Sequence, residues 1–150
     1  MKDKFKRVHM KVAQAYAGLS YAQRRQVGCV IVIDDIVVPG YNGTPSGWDN
    51  CCEVPDGSAT LPEVIHAEQN ALDKIIRSTL SSVGASVFVT TAPCIECAKR
   101  LQGARVKEVF YRDVYRNEDG IEFLRRAGIH VERVEDENSS EGSQDAQSDR

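Results

Sequence analysis

The sequence predicts an α/β protein, a three-layer α/β/α sandwich around a mixed five-stranded sheet. Two observations predict this fold. Two apolar, β-branched runs near the start are joined by a two-residue turn, which is typical of a hairpin. After them, short apolar runs alternate with segments of helical periodicity. Because a hairpin pairs its strands antiparallel and helical connections pair strands in parallel, the sheet is expected to be mixed.

The first half of the chain contains a helix, the hairpin and a long loop. Apolar side chains recur at helical spacing over residues 4–19. The two hairpin strands are predicted over 27–33 and 36–41, with Asp34 and Asp35 in the turn. Residues 42–62 are rich in Gly, Pro and Asn, and a loop of that length inside a compact domain is usually functional.

Helices and strands alternate in the second half. Helices are predicted over residues 63–78, 94–102 and 120–127, and strands over 85–90, 106–111 and 129–134. The sequence therefore supplies the five strands of the predicted sheet.

The composition is that of a single globular domain. The chain has 150 residues, 41% of them hydrophobic and 27% charged, and two domains of half this length would have poor cores. No apolar run approaches the roughly 18 residues that a membrane helix needs. The basic start, residues 1–7, lacks the apolar core of a secretion signal. We therefore expect a cytoplasmic protein without a membrane partner.

The end of the chain differs in composition from the rest. Residues 135–150 hold six acidic side chains, one basic side chain and one alanine as their only apolar residue. Such a segment cannot offset the entropy lost on ordering, so the folded domain is predicted over 1–134 and a disordered acidic tail over 135–150. The tail carries −5 and the whole chain −3, which leaves +2 for the domain. That charge is too small for a nucleic-acid-binding surface.

Two short motifs place candidate metal ligands at the starts of two predicted helices. His66-Ala67-Glu68 lies near the start of the second helix, and Pro93-Cys94-Ile95-Glu96-Cys97 opens the third. Cys94 and Cys97 are three residues apart, so their sulfurs share one side of a helical turn, where backbone N–H groups favour thiolates. The five cysteines are odd in number and no secretion signal precedes them, which favours metal binding over disulfides.

One imidazole and two thiolates make three protein ligands. A structural zinc usually has four protein ligands, whereas three leave an open position for water at a catalytic Zn²⁺. Zinc lowers the pKa of such a water, and Glu68 can move its proton to a substrate without binding the metal. Each motif is weak evidence by itself. Together they form the H-x-E…P-C-x-x-C signature of zinc-dependent nucleobase deaminases.

Beyond the zinc motifs, the sequence resembles the deoxycytidylate (dCMP) deaminases of the cytidine-deaminase superfamily, from the first helix to Val134. The resemblance rests on Gly40-Tyr-Asn-Gly-Thr-Pro-Ser-Gly47, on Arg24-Arg-Gln-Val-Gly28, on Glu68-Gln-Asn-Ala71 and on Tyr115. It implies a cytidine-deaminase-like sandwich. It also implies hydrolysis of dCMP to dUMP and ammonia, which supplies dUMP for thymidylate synthesis.

The resemblance also implies roles in substrate binding and chemistry. Asn42 would bind the 3′-hydroxyl of deoxyribose, and Tyr115 would close over the nucleotide. Arg24 or Arg25 would bind the 5′-phosphate, for which a guanidinium fork is well suited. Glu68 would protonate N3 of the cytosine and then assist the loss of ammonia.

Members of this family are also regulated, which implies effectors and an assembly here. A hexamer is expected, with dCTP and Mg²⁺ as activator and dTTP as inhibitor at a second site. Tyr41, Gly43 and Arg77 are the residues that the resemblance assigns to this control.

Two departures from the family pattern concern a second metal and the loop. Some relatives hold a structural zinc with a cysteine before the arginine pair and an acid two residues before the ligand histidine. Here these positions are Ala22 and Val64, which cannot bind zinc in this way. Cys51 matches a third ligand of that structural zinc but lacks its partners. One zinc per chain is therefore expected. The region between the long loop and the second helix, residues 53–62, is also shorter than the family pattern. The oligomeric contacts and the choice of effector are therefore left open.

Three alternative functions stay open on the sequence. A deaminase could accept dCTP as well as dCMP, because pocket contacts determine such choices. A tRNA adenosine deaminase shares both zinc motifs but needs a surface that grips RNA. A non-catalytic, zinc-stabilised interaction module would need a fourth ligand, from Cys51 or Cys52, and would leave Glu68 without a role.

Overall fold

The computed structural model describes residues 1–135. The predicted disordered tail, apart from Glu135, lies outside these residues. The elements in chain order are α1 Asp3–Ala17, β1 Gly28–Ile33, β2 Ile36–Tyr41, α2 Ala67–Ile76, β3 Ser86–Thr91, α3 Ile95–Gly103, β4 Glu108–Asp113, α4 Asp119–Arg126 and β5 His130–Arg133. Within residues 1–135, no helix has the length and apolar character needed to cross a membrane.

The five strands form one mixed sheet in the order β2-β1-β3-β4-β5. β1 pairs antiparallel with both β2 and β3, whereas β3, β4 and β5 run parallel. The predicted fold class is confirmed. The hairpin contributes the antiparallel edge, because a short turn joins antiparallel strands. The helical connections after β3 contribute the parallel part, because parallel strands need a crossover connection.

Helices cover both faces of the sheet, so the central strands β1 and β3 are buried on two sides, whereas the edge strands β2 and β5 are partly exposed. α1 packs on one face through Met10 and Ala13, against Val30, Phe88 and Phe110. The other face packs against α2, α3 and α4, and its strand residues alternate with those of the first face; they include Cys29, Ile31, Val87, Val89 and Val109. Burial on both faces explains why β1 and β3 are largely apolar along their length.

The second helix begins later than the sequence predicts. It was expected from residue 63 but starts at Ala67, because Ile65 is held in an isolated bridge with Gly43 through N–H···O bonds of 2.8 and 3.1 Å. This pairing keeps the backbone extended up to His66, the N-cap residue, whose φ is −67° and ψ 153°. His66 therefore lies just before α2 rather than inside it.

Gly120 in α4 packs directly on the loop that follows β3. A Cβ at this position would lie 1.9 Å from the carbonyl oxygen of Pro93. Gly103, the last residue of α3, has no heavy atom within 4 Å of the corresponding point. Space for a side chain therefore differs sharply between these two helical glycines.

We expect Gly120→Ala to lower the free energy of unfolding by about 1–3 kcal/mol, the usual cost of overpacking. Gly103→Ala is the matched control and should be neutral or slightly stabilising, because alanine is the better helix former. Urea unfolding of both variants measures the difference. Equal stability of the two would contradict close packing of α4 on Pro93.

Candidate active site

The two ligand motifs meet where the N-termini of α2 and α3 face one another. His66 is the N-cap of α2 and Cys94 is the N-cap of α3, both with extended backbone, and Cys97 lies in the first turn of α3. The backbone N–H of Cys97 donates to the Cys94 sulfur at 3.5 Å. Helix N-termini favour negative charge, so this is a suitable place for thiolate ligands.

The three side chains have the spacing of a zinc site. Nδ1 of His66 lies 3.2 Å from Sγ of Cys97 and 3.6 Å from Sγ of Cys94, and all three donor atoms lie within 4.8 Å of one another. Zn–N and Zn–S bonds of about 2.0 and 2.3 Å at a tetrahedral angle would separate nitrogen and sulfur by about 3.5 Å. The residues present therefore fit Zn²⁺.

The two candidate cysteine ligands shift each other's pKa in opposite directions. Hydrogen bonds with Cys97 and His66 lower the pKa of Cys94 to about 3. The hydrogen bond with Cys94, together with burial, raises the pKa of Cys97 far above its usual value. These directions favour a thiolate at Cys94 and a protonated thiol at Cys97, and a divalent cation would offset the repulsion between two thiolates and let both bind.

Glu68 lies beside this cluster in the first turn of α2. Its side chain is 4% exposed, and burial raises the pKa of its carboxyl above the usual value. A buried carboxyl of raised pKa takes up and releases a proton more readily near neutral pH than an exposed one. Glu68 therefore has the properties of a general acid and base.

The cluster contains only three ligands in the part of the chain that the structure describes. Cys51 is exposed, and Cys52 is buried with its sulfur directed to the carbonyl oxygen of Asn50. Neither joins the cluster, so the fourth ligand that a purely structural zinc site requires is not found among residues 1–135. The arrangement is that of a catalytic site with one open position.

A cavity of about 560 Å³ opens beside the cluster. This volume lies within the range of small-molecule sites. The predicted residues that line it are His66, Glu68, Cys94, Arg24, Arg25, Asn42 and Tyr115. Two of the three candidate metal ligands and Glu68 thus share one cavity with the residues predicted to bind substrate.

A cationic cluster surrounds Tyr115 on the cavity wall. The guanidinium carbons of Arg25 and Arg116 lie 4.6 and 5.1 Å from the centre of the tyrosine ring. Nε of Arg25 donates to Oγ1 of Thr91 at 2.9 Å, and its Nη2 lies 3.9 Å from a carboxylate oxygen of Asp113. The hydrogen bond with Arg116 lowers the pKa of the Tyr115 hydroxyl. These positive charges make this wall a suitable surface for a phosphate.

Sequence reasoning missed Arg116. It directly follows Tyr115 in the loop between β4 and α4, and its φ of 71° lies in the left-handed region. The only signal in the sequence was a base next to a tyrosine that was already assigned, and such a base is usually a solvated loop residue.

Asn42 and Arg24 make contacts that hold the loops around the cavity. The Asn42 amide accepts from the N–H of Val27 and donates to the carbonyl of Arg25, both at 2.8 Å. The Arg24 guanidinium donates to the carbonyl oxygens of Gly57 and Ser58. An amide and a guanidinium have further hydrogen-bonding capacity, so these contacts leave both groups able to bind a ligand.

The residues assigned to allosteric control lie outside the cavity. Gly43 pairs with Ile65 near the start of α2, and the carbonyl of Tyr41 accepts from the side chain of Asn70. Arg77 is exposed at the C-terminal end of the same helix. Within one chain the structure therefore does not bring Arg77 to Gly43.

Comparison with known proteins assigns the chain to a family. Residues 3–113 match the family model for the cytidine and deoxycytidylate deaminase zinc-binding region. The chain therefore belongs to the cytidine and deoxycytidylate deaminases. Within that family it is similar to the deoxycytidylate deaminases, as the following relatives indicate.

A crystal structure of dCMP deaminase from the cyanophage S-TIM5, in complex with dCMP and dUMP, superposes with a TM-score of 0.85. The two sequences are 44% identical over 89% of this chain and 98% of the phage chain. Deoxycytidylate deaminase of Saccharomyces cerevisiae is 34% identical over 81% of this chain and 42% of the yeast protein. ComE operon protein 2 of Bacillus subtilis is 34% identical over 77% of this chain and 64% of that protein. The chain thus spans less than two thirds of the latter two relatives.

Proposed function

We propose that this protein hydrolyses dCMP to dUMP and ammonia and so supplies dUMP for thymidylate synthesis. The observation that carries the proposal is a buried glutamate beside a three-ligand metal cluster, in a cavity whose wall is rich in arginine. The S-TIM5 enzyme, whose whole length this chain matches, was crystallised with dCMP and dUMP, which supports the choice of substrate.

The chemistry is divided between the metal site and Glu68. Zn²⁺ held by His66, Cys94 and Cys97 would supply an activated water for attack on C4 of cytosine. Glu68 takes the proton of the attacking water and passes it to N3 of the base. Glu68 then takes the remaining proton from the new hydroxyl on C4 and gives it to the amino group, so ammonia leaves, the C4 carbonyl forms and one water is consumed for each ammonia released.

The rest of the cavity binds the sugar and the phosphate. Arg24 and Arg25, with Arg116 beside them, bind the 5′-phosphate, and Tyr115 closes over the nucleotide. Asn42 binds the 3′-hydroxyl through the hydrogen-bonding capacity that its two backbone contacts leave free. This arrangement directs the base towards Glu68.

Arg25→Ala should raise KM for dCMP about 10–100-fold, the loss expected for a charge-assisted hydrogen bond, with a smaller change in kcat. Arg126→Ala is the matched control, since Arg126 is exposed on α4 outside the cavity. Steady-state kinetics of both variants provide the test. If Arg25→Ala keeps the wild-type KM, Arg25 does not bind the phosphate.

Control by dCTP with Mg²⁺ and by dTTP in a hexamer is the finer part of the proposal. Its support is the bridge between Gly43 and Ile65, because Ile65 precedes the metal ligand His66. A displacement of residues 41–43 would therefore be transmitted through this bridge to His66. Arg77 is proposed to act at a second site completed by another subunit. One zinc per chain and a cytoplasmic location also stay predictions.

The proposal is tested by incubating zinc-loaded protein with dCMP and following dUMP formation by ultraviolet absorbance. The assay is repeated with dCTP and Mg²⁺, and with dTTP. Turnover that dCTP raises and dTTP suppresses supports both the substrate and the control. Turnover indifferent to both nucleotides retains the reaction and removes the allosteric part. Absence of dCMP turnover, with or without dCTP, overturns the proposal, and turnover of dCTP itself indicates the broader substrate range.

A further inference from the structure

A buried carboxylate outside the active site holds the segment that carries two of the cavity arginines. Glu53 lies in the loop between β2 and α2 and is 8% exposed. Its Oε1 accepts the backbone N–H groups of Gln23 at 2.8 Å and Arg24 at 3.2 Å. A carboxylate is costly to bury unless it is hydrogen-bonded, and these two donors supply that compensation.

The arginine segment, residues 22–26, has no helix or strand of its own. Its conformation depends on side chains from other parts of the chain. Glu53 accepts hydrogen bonds from two of its N–H groups. In addition, the N–H of Ala22 donates to the Ser20 hydroxyl at 3.1 Å, and the side-chain amide of Asn42 donates to the carbonyl of Arg25. Buried or partly buried backbone groups that lose such partners become costly, so the segment would rearrange without them.

The same loop binds both the backbone and the side chain of Arg24. Glu53 binds its backbone N–H, and the carbonyls of Gly57 and Ser58 accept from its guanidinium. The loop between Glu53 and Thr60 folds back on itself through an isolated bridge between these two residues, and Ser58, Ala59 and Thr60 line the cavity. Glu53 therefore links this loop to the position of the arginines.

We infer that Glu53 is a positioning residue: it orients the arginine segment so that Arg24 and Arg25 reach the 5′-phosphate of the substrate. This inference rests on the proposed function. Glu53 lies outside the cavity lining and touches neither the metal ligands nor Glu68, so it acts on substrate binding and not on proton transfer. Its effect should appear only with ligands that carry a phosphate.

The test compares phosphorylated and unphosphorylated ligands. Glu53→Ala should raise KM for dCMP about tenfold, as expected when buried N–H groups lose their acceptor, with kcat little changed. By calorimetry, its affinity for dUMP should fall by a similar factor while its affinity for deoxyuridine is retained. Glu53→Gln keeps an oxygen acceptor and should restore most of the KM. Glu63→Ala, in the same loop but outside the cavity lining, is the matched control.

A second background tests whether Glu53 acts through the arginines. In Arg24→Ala/Arg25→Ala protein, adding Glu53→Ala should change the dUMP affinity little further. Equal loss of dUMP and deoxyuridine binding in Glu53→Ala, or full additivity in the double background, overturns the inference in favour of a merely structural role. If Glu53→Ala does not fold, Glu53→Asp is compared with Glu53→Gln instead. The shortened side chain should bind dUMP more weakly than Glu53→Gln does, and equal dUMP affinity of these two variants overturns the inference. Failure of the wild-type protein to deaminate dCMP overturns the proposed function, whereas these binding results concern Glu53 alone.

Discussion

Glu68→Gln is expected to lower kcat for dCMP by about 10²–10⁴-fold or more, the usual contribution of a positioned acid and base. Glutamine has nearly the same shape as glutamate but cannot carry the proton between water, N3 and the leaving amino group. KM should change little, since the side chain contributes to the transition state more than to binding. Zinc content should stay at the wild-type level, because Glu68 is not one of the three ligands.

Asp73→Asn is the control for this variant. It makes the same chemical change on the same helix, at a position outside the cavity lining. Kinetics with dCMP and metal analysis of both proteins decide the matter. If Glu68→Gln loses zinc together with activity, Glu68 supports the metal rather than the proton transfer. If it retains the wild-type kcat, the catalytic assignment is wrong.

Cys97→Ala is expected to abolish zinc binding and, with it, deamination. Cys97 is buried, and its sulfur lies 3.2 Å from the histidine nitrogen, so its removal leaves two ligands for a metal that requires three or four. Bound metal also stabilises the folded chain, by about 2.7 kcal/mol at one hundred times the dissociation constant. A chelator should therefore lower the melting temperature of the wild type and leave that of Cys97→Ala unchanged.

Cys51→Ala is the matched control, since Cys51 is exposed and lies outside the metal cluster. It should bind zinc, respond to the chelator and deaminate dCMP as the wild type does. Loss of zinc from Cys51→Ala would mean that Cys51 supplies a fourth ligand, which would favour the structural site over the catalytic one. Zinc retained at the wild-type level by Cys97→Ala would place the metal elsewhere.

The candidate metal ligands and Glu68 could be recognised in the sequence because their signals are local. Cys94 and Cys97 are three residues apart on one helical turn, and His66 and Glu68 are two apart at a helix start. The first spacing brings the two sulfurs together through helix geometry, whereas His66 and Glu68 are near one another simply because they are close in the chain. The strands were predictable for a similar reason, because β-branched apolar runs buried on two faces have few other conformations.

The start of α2 was mispredicted because a non-local contact overrides the local pattern. Residues 63–66 are compatible with a helix, but the bridge between Gly43 and Ile65 holds them extended. Arg116 and Glu53 were missed for the same reason. Arg116 matters only because α4 and β4 place its loop over the cavity. Glu53 matters because it accepts hydrogen bonds from Arg24 and Gln23, which are 29 and 30 positions away in the chain.

The sequence by itself determined the fold class, and it predicted His66, Cys94 and Cys97 as metal ligands and Glu68 as the proton carrier. These follow from periodicity and short spacing, which act within one helix or strand. Only the tertiary structure decided that His66 meets cysteines 28 and 31 positions away, that Glu68 is buried, and which arginines share its cavity. Contacts of this kind depend on how the helices pack on the sheet, and no local pattern encodes that packing.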